Sequence, residues 1–207
     1  MKRILVLLAM LLTVQLAMAQ DASTPDQLVK GITNDVISAI KQDRELQSGN
    51  SKRIADLVET KVLPHFNFGR MTQIAMAVNW RRANPDQQKQ LVNEFRTLLV
   101  RTYSNALSLY RDQSIDFKPL RARSEDTEVT VRSEIKQRSQ QAVTLDYDLE
   151  KTPAGWKVYD VKVGGVSLIS TYRDEFATQV RNDGIDGLIK SLSTKNQQLA
   201  NKGGKAT

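Results

Sequence analysis

Histidine occurs once in the 207 residues, at His65, and cysteine does not occur. A transition-metal centre or a nucleophile–imidazole pair would have to be built on that one ring. His65 follows Pro64 at the edge of an apolar segment with no HExxH spacing around it, which reads as a structural or surface histidine. Ser167 stands in Gly164-Gly165-Val166-Ser167-Leu168-Ile169. That run resembles a nucleophile elbow but lacks its second glycine, so Ser167 is expected to cap a helix from Leu168. Asp146 and Asp148 share a strand face, where paired carboxylates could do acid–base work. The alternation of a strand with one wetted face explains them as well. Gly164-Gly165 has nothing like GxxxxGK[ST] about it. No catalytic constellation and no metal set assembles, so the chain reads as a non-enzyme without cofactor or metal.

The abundant signal is apolar and aromatic, and the elements that carry it follow from periodicity. Thr24-Pro25-Asp26-Gln27 is a capping box with proline at the first helical position. Leu28, Ile32, Val36 and Ile40 follow at spacings of four. Ser51 is expected to cap a second helix with Ile54, Leu57, Val58 and Val62 inward, ending before Pro64. A third short helix holds Phe68, Met71, Ile74, Ala75 and Val78. Asn84-Pro85-Asp86-Gln87 repeats the start signal. The longest helix follows, to about Tyr110, with Leu91, Phe95, Leu98, Leu99, Thr102, Tyr103, Ala106 and Tyr110 inward.

Alternation then marks strands over 114–120, 128–135 and 143–149, with a polar turn over 137–141. Pro153-Ala154-Gly155 turns the chain into a fourth strand from Trp156 to Val163. Trp156 and Val158 fall on one face and Tyr159, Val161 and Val163 on the other, as in a strand covered on both sides. Ile169, Tyr172, Phe176 and Val180 make a helix stripe that ends at Asn182-Asp183-Gly184. Ile185, Leu188, Ile189 and Leu192 make a last short helix, and 195–207 reads as a disordered tail. Helices, four strands, then helices give an α+β domain with an antiparallel sheet. Phe66, Phe68, Trp80, Phe95, Tyr103, Tyr110, Tyr147, Trp156, Tyr159, Tyr172 and Phe176 face its interior. Periodicity does not distinguish a filled core from a lined cavity.

Residues 1–19 have the form of a cleaved leader. Lys2 and Arg3 precede an apolar run, Ile4–Leu16, and Ala17-Met18-Ala19 is an A-x-A cleavage pattern, so the mature chain starts at Gln20. The run is shorter than the ~18–20 residues of a span, and without cysteine no lipid-modified N-terminus forms. An exported chain without disulfides must hold its fold by packing alone. The net charge of +7 falls to +5 with Lys2 and Arg3 removed. That moderate, scattered excess suits anionic headgroups or an acidic partner surface rather than nucleic acid.

Three blocks stand out: Trp80-Arg81-Arg82-Ala83-Asn84-Pro85-Asp86-Gln87 with Phe95-Arg96 and 103–110; Gly155-Trp156-Lys157-Val158-Tyr159-Asp160-Val161; and Gly165-Val166-Ser167-Leu168-Ile169 through Tyr172-Arg173 and Phe176 to Gly184-Ile185-Asp186-Gly187-Leu188. Together they resemble the MlaC (toluene-tolerance Ttg2) family of periplasmic phospholipid carriers. The resemblance spans roughly Pro25 to Leu192 as one domain, 20–194. It departs before Trp80, where relatives often carry a glycine near Ala77. It implies helices wrapped around a strongly curved, mainly antiparallel sheet (NTF2-like or cystatin-like) enclosing an acyl-chain pocket. It further implies a monomeric periplasmic carrier with phospholipid as cargo. Such a carrier moves lipid between an outer-membrane lipoprotein–porin complex and an inner-membrane ABC transporter with an MCE-domain subunit, which maintains outer-membrane lipid asymmetry. With the inward stripes, the expected pocket residues are Phe68, Met71, Phe95, Leu99, Tyr103, Val129, Val131, Tyr147, Val161, Val163, Ile169 and Tyr172. The residues by themselves leave open an enzyme on an NTF2-like fold and a ligand-free adaptor.

Overall fold

Capping chemistry starts the helical half. The computed structural model describes residues 23–137 and 141–203. α1 (Pro25–Gln42) opens with the capping box of Thr24 and Gln27. α2 (Arg44–Gln47) and α3 (Ser51–Leu57) follow. The cap of α3 is Asn50 rather than Ser51, because the Asn50 amide oxygen accepts from the N–H groups of both Lys52 and Arg53 at 3.1 Å. The helix does not run regularly to Pro64. Val58–Val62 widens into a π turn and Leu63–His65 tightens into a 3-10 turn. The Thr60 hydroxyl donates to the carbonyls of Asp56 and Leu57, competing with the helical ladder, and Pro64 has no N–H to continue it.

α4 (Phe68–Met76) is shorter than expected. Ala77 turns to φ 48°, so Val78, expected inward, is 79% exposed. α5 (Pro85–Tyr103) starts on the reciprocal bonds of Asn84 and Gln87. It gives way at Ser104–Leu109 to a 3-10 turn. Thr102 and Ala106, placed on the inward stripe by a continuous helical period, are exposed.

Among the described residues, five antiparallel strands form one open sheet in the order β1 (Ser114–Phe117), β2 (Glu128–Lys136), β3 (Val143–Thr152), β4 (Gly155–Val163) and β5 (Val166–Ser167). The strand beyond the expected four, β5, is made by Gly164-Gly165. Both glycines have positive φ, 59° and 83°, as a two-residue hairpin turn of the right twist requires. The leader, the middle of the polar turn at 138–140, and 204–207 lie outside the described residues.

β4 corrects the expectation of a strand covered on both faces. Tyr147 pairs with Val161, but Leu149, two residues on, pairs with Val158. The extra residue is a bulge, and it switches parity. Val158, Val161 and Val163 therefore share one face, while Tyr159 and Asp160 both oppose Asp148 on the other. The next helix starts later than Leu168, because the Leu168 N–H is tied to Val161 O at 2.9 Å and the Ile169 N–H to Asp160 Oδ1 at 3.3 Å. After a 3-10 turn, Ser170–Tyr172, α6 runs Arg173–Gly203 with a break at Gly184, φ 73°. Through 195–203, read as tail from its composition, the chain is helical. Asn196 is 3% exposed, and its amide donates to Glu94 O at 2.9 Å and Glu94 Oε2 at 2.7 Å. Polar capture holds what apolar periodicity did not announce.

Three apolar clusters result. α4, α5 and α6 pack around Phe95, Leu98, Phe176 and Leu188. α1 to α3 pack around Val36, Ile40, Leu46 and Ile54. The sheet packs Val131, Leu149 and Val158 against Val29 of α1.

Ala77 marks a strained turn. A non-glycine residue there costs about 1–3 kcal/mol, part of which glycine returns as unfolded-state entropy. Ala77→Gly is expected to raise the thermal midpoint by about 2–4 °C, for a net gain near 1 kcal/mol in a chain of this size. Calorimetry on the two proteins checks it; an unchanged or lowered midpoint counts against strain at this turn.

Candidate functional site

The three clusters meet without closing. Between them lies an apolar cavity of about 280 Å³ lined by Val58, Val62, Leu63, Phe66, Phe68, Met71, Leu99, Val100, Tyr103, Ser104, Leu107, Val161, Leu168 and Ile169. Met71, Leu99 and Ile169 are buried at its inner side, and Tyr103, 38% exposed, marks where it meets solvent. The volume falls just below the ~300–1,000 Å³ usual for small-molecule sites.

Six of the twelve expected pocket residues line this cavity: Phe68, Met71, Leu99, Tyr103, Val161 and Ile169. The other six lie elsewhere. Phe95 is fully buried in an edge-to-face cluster with Tyr172 and Phe176, at centroid distances of 5.0 and 5.1 Å. Tyr172 belongs to the same cluster, and burial pushes its phenol up. Val129, Val131 and Tyr147 pack in the cluster between the sheet and α1. Val163 lies beyond the cavity and is 41% exposed. Among the residues not anticipated, Val58 and Val62 already stood on the inward stripe of the second helix, and Phe66 among the inward aromatics. Val100 lies on α5 beside the expected stripe, and Ser104, Leu107 and Leu168 gave no signal, because their placement depends on the 3-10 turn after α5 and on β5.

Polar groups hold the wall from behind. Arg70 at the start of α4 stacks its guanidinium on the Tyr159 ring at 4.0 Å. It donates to Glu128 Oε1 at 2.6 Å and Glu150 Oε2 at 2.5 Å, and Asn67 donates to Glu150 Oε1 at 2.7 Å. This binds the segment of Phe66, Phe68 and Met71 to the outer face of the sheet. Asp160, 6% exposed, accepts from the Val161 N–H, the Ile169 N–H and, at 2.5 Å, the Ser167 hydroxyl. Ser167 in turn accepts from the Ser170 N–H at 2.9 Å, the bond to the third following residue that a capping serine makes, here onto a 3-10 turn. Asp148 accepts from Thr130 and Lys162, both at 2.7 Å, and so belongs to the sheet's outer ion pairs. Burial, and then the Lys157 ammonium, hold His65 below the ordinary imidazole value, against the pull of Asp35. Among the described residues no group of three or more His, Cys, Asp or Glu side chains is placed to hold a metal. No helix among them is long and apolar enough to cross a membrane.

The MlaC protein family model matches residues 30–194. The chain belongs to the MlaC family. Its relatives include the toluene tolerance protein ttg2D of Pseudomonas putida, 27% identical over 80% of this chain and 77% of that protein. Another is the intermembrane phospholipid transport system binding protein MlaC of Haemophilus influenzae, 24% identical over 87% of this chain and 84% of that protein. A phospholipid-binding protein from Ralstonia solanacearum, solved in complex with a phospholipid, is 41% identical. It superposes with a TM-score of 0.80, covering 86% of this chain and 99% of its own.

Tyr147 offers a test of packing against pocket in this family member. Burial pushes its phenol up to about 12, outweighing hydrogen bonds with Ser133 and Thr33. A raised folded-state value stabilises fully below the unfolded value near 10, and that contribution is lost as pH rises from about 10 to 12. Urea midpoints are expected to fall across that window, and Tyr147→Phe to flatten the fall by on the order of 2 kcal/mol. An equal slope in both proteins would show that the phenol is not buried as described.

Proposed function

We propose that this protein is a phospholipid carrier that holds acyl chains in the cavity bounded by the turns after α3, by α4, α5 and β4, with the headgroup toward solvent near Tyr103. The observation that carries the reading is the composition of the wall. Its described side chains are apolar or aromatic apart from one serine, on a fold shared with a protein that is 41% identical and solved with a phospholipid. Each methylene buried is worth about 0.8 kcal/mol, so on the order of ten methylenes suffice for micromolar retention. Binding of this kind uses surface burial and requires no acid, base, nucleophile or metal, so the protein acts as a carrier rather than an enzyme, with phospholipid as cargo.

The cavity of about 280 Å³ is small for a diacyl lipid, so loading displaces a wall. The irregular turns at Val58–Val62 and Ser104–Leu109 have the least regular hydrogen bonding around it. A leader at 1–19 would deliver the protein to the periplasm. There it would shuttle lipid between an outer-membrane lipoprotein–porin complex and an inner-membrane ABC transporter with an MCE subunit. Retained lipid leaves slowly into water, so transfer requires direct docking at both membranes.

Protein expressed with residues 1–19 and purified gently is expected to yield diacyl phospholipid to organic extraction and mass spectrometry. Tyr103→Arg should lose most of that lipid while the lipid-free melting temperature changes by a few degrees at most, because Tyr103 is partly exposed. Val163→Gln, outside the cavity, should keep it. Absence of phospholipid from the unsubstituted protein, or its retention by Tyr103→Arg, would sink this assignment. Melting is compared without lipid, since ligand loss lowers apparent stability by itself.

A further inference from the structure

Ser104 is the polar exception among the described residues of the cavity wall. Of the fourteen described lining residues, Tyr103 and Ser104 carry hydroxyls. That of Tyr103 is engaged with Tyr172. Ser104 Oγ is buried and has no hydrogen-bond partner among the described residues. A buried hydroxyl without a partner is unfavourable. A serine that caps no helix start and is not turned back onto a carbonyl has a donor to give to something else. Its place in the fold narrows what that is. Ser104 is the first residue after α5, and its N–H closes the last turn on Val100 O. It adjoins Tyr103, where the cavity meets solvent, and follows Leu99 of the inner wall by little more than one turn of the chain, which places it between the two. A phospholipid lying tails-in and headgroup-out carries few polar atoms at that level. They are the ester carbonyls that join the acyl chains to glycerol, which are acceptors that want one donor each.

We propose that the Ser104 hydroxyl donates to an acyl ester carbonyl of the bound phospholipid. The contact sets the depth of the glycerol and makes the cavity selective for ester-linked over ether-linked chains. The inference rests on the phospholipid reading above and goes beyond it, since apolar walls alone do not distinguish the two linkages. An ether oxygen offers a poorer acceptor in a different position, so the hydroxyl stays unpaired and the lipid loses the bond.

The experiment equilibrates the delipidated mature protein with vesicles holding equal amounts of dioleoyl phosphatidylcholine and its dioleyl ether analogue, and measures bound lipid by mass spectrometry. The wild-type protein is expected to enrich the diester about three- to tenfold, the worth of one neutral hydrogen bond. Ser104→Ala is expected to bind the two near equally. Ser104→Ala without lipid should melt at or above the wild-type temperature, because the substitution removes an unpaired buried hydroxyl. Equal binding by the wild type, enrichment retained in Ser104→Ala, or a clear drop in the lipid-free melting temperature each overturns the proposal. The last would mean that the hydroxyl is spent inside the protein. Binding of neither lipid overturns the carrier reading together with this one, whereas equal binding overturns this one alone.

Discussion

One extra residue in β4 sets the position of the cavity wall. The register slip between Asp148 and Leu149 leaves Tyr159 and Asp160 together opposite Asp148. Val161 is thereby brought to the face it shares with Val158, where it lines the cavity. Tyr159 is turned outward as the platform for Arg70, which fixes the segment carrying Phe68 and Met71. Asp160 is placed to gather the Val161 and Ile169 N–H groups and the Ser167 hydroxyl, which fixes Leu168 and Ile169. Three parts of the wall, from α4, β4 and the turn before α6, are referred to one local irregularity. A regular strand of the same sequence would send Val161 to the side of Tyr159.

The cavity also depends on helices that do not stay regular. Val58, Val62 and Leu63 come from a π turn and a 3-10 turn, and Ser104 and Leu107 from the 3-10 turn after α5. Both geometries change the angle between successive side chains from the 100° of an α-helix. Apolar residues that would interdigitate on regular helices are instead splayed around a space. The dense parts of the molecule lie to either side. The edge-to-face cluster of Phe95, Tyr172 and Phe176 backs the wall on the helical side, and Val131, Leu149 and Val158 back it on the sheet side. Packed regions hold the shape, and the irregular turns are the part of the wall with the least regular hydrogen bonding.

Charge is kept on the other side of the same elements. The outer face of the sheet carries Glu128, Glu150, Asp148 and Lys162 in ion pairs, while the inner face is apolar. Most of these pairs are partly exposed, and each contributes little to stability. Arg70 differs because one guanidinium is shared by two carboxylates and an aromatic ring, so its geometry is fixed rather than merely attractive.

The sequence alone determined the elements and their class, because helix caps, the two apolar periods and the turn glycines are local. Thr24-Pro25-Asp26-Gln27 and Asn84-Pro85-Asp86-Gln87 start helices where their chemistry says, and β1, β2 and β3 pair in regular alternation as written. It also supplied Phe68, Met71, Leu99, Tyr103, Val161 and Ile169 as inward residues and the three blocks that resemble the MlaC family. Tertiary structure decided which inward residues touch each other and which border a space. Phe95 and Tyr172 face inward as well as any cavity residue does, and only the partners they meet make them core. Val163 fell outside the cavity although it shares the face of Val161. The bulge at Tyr159, the helix held through Asn196 by Glu94, and the unpaired hydroxyl of Ser104 were not legible, because each is a relation between segments far apart in the chain. Periodicity reports which way a side chain points from its own backbone, and a cavity is defined by the distance to the side chains opposite.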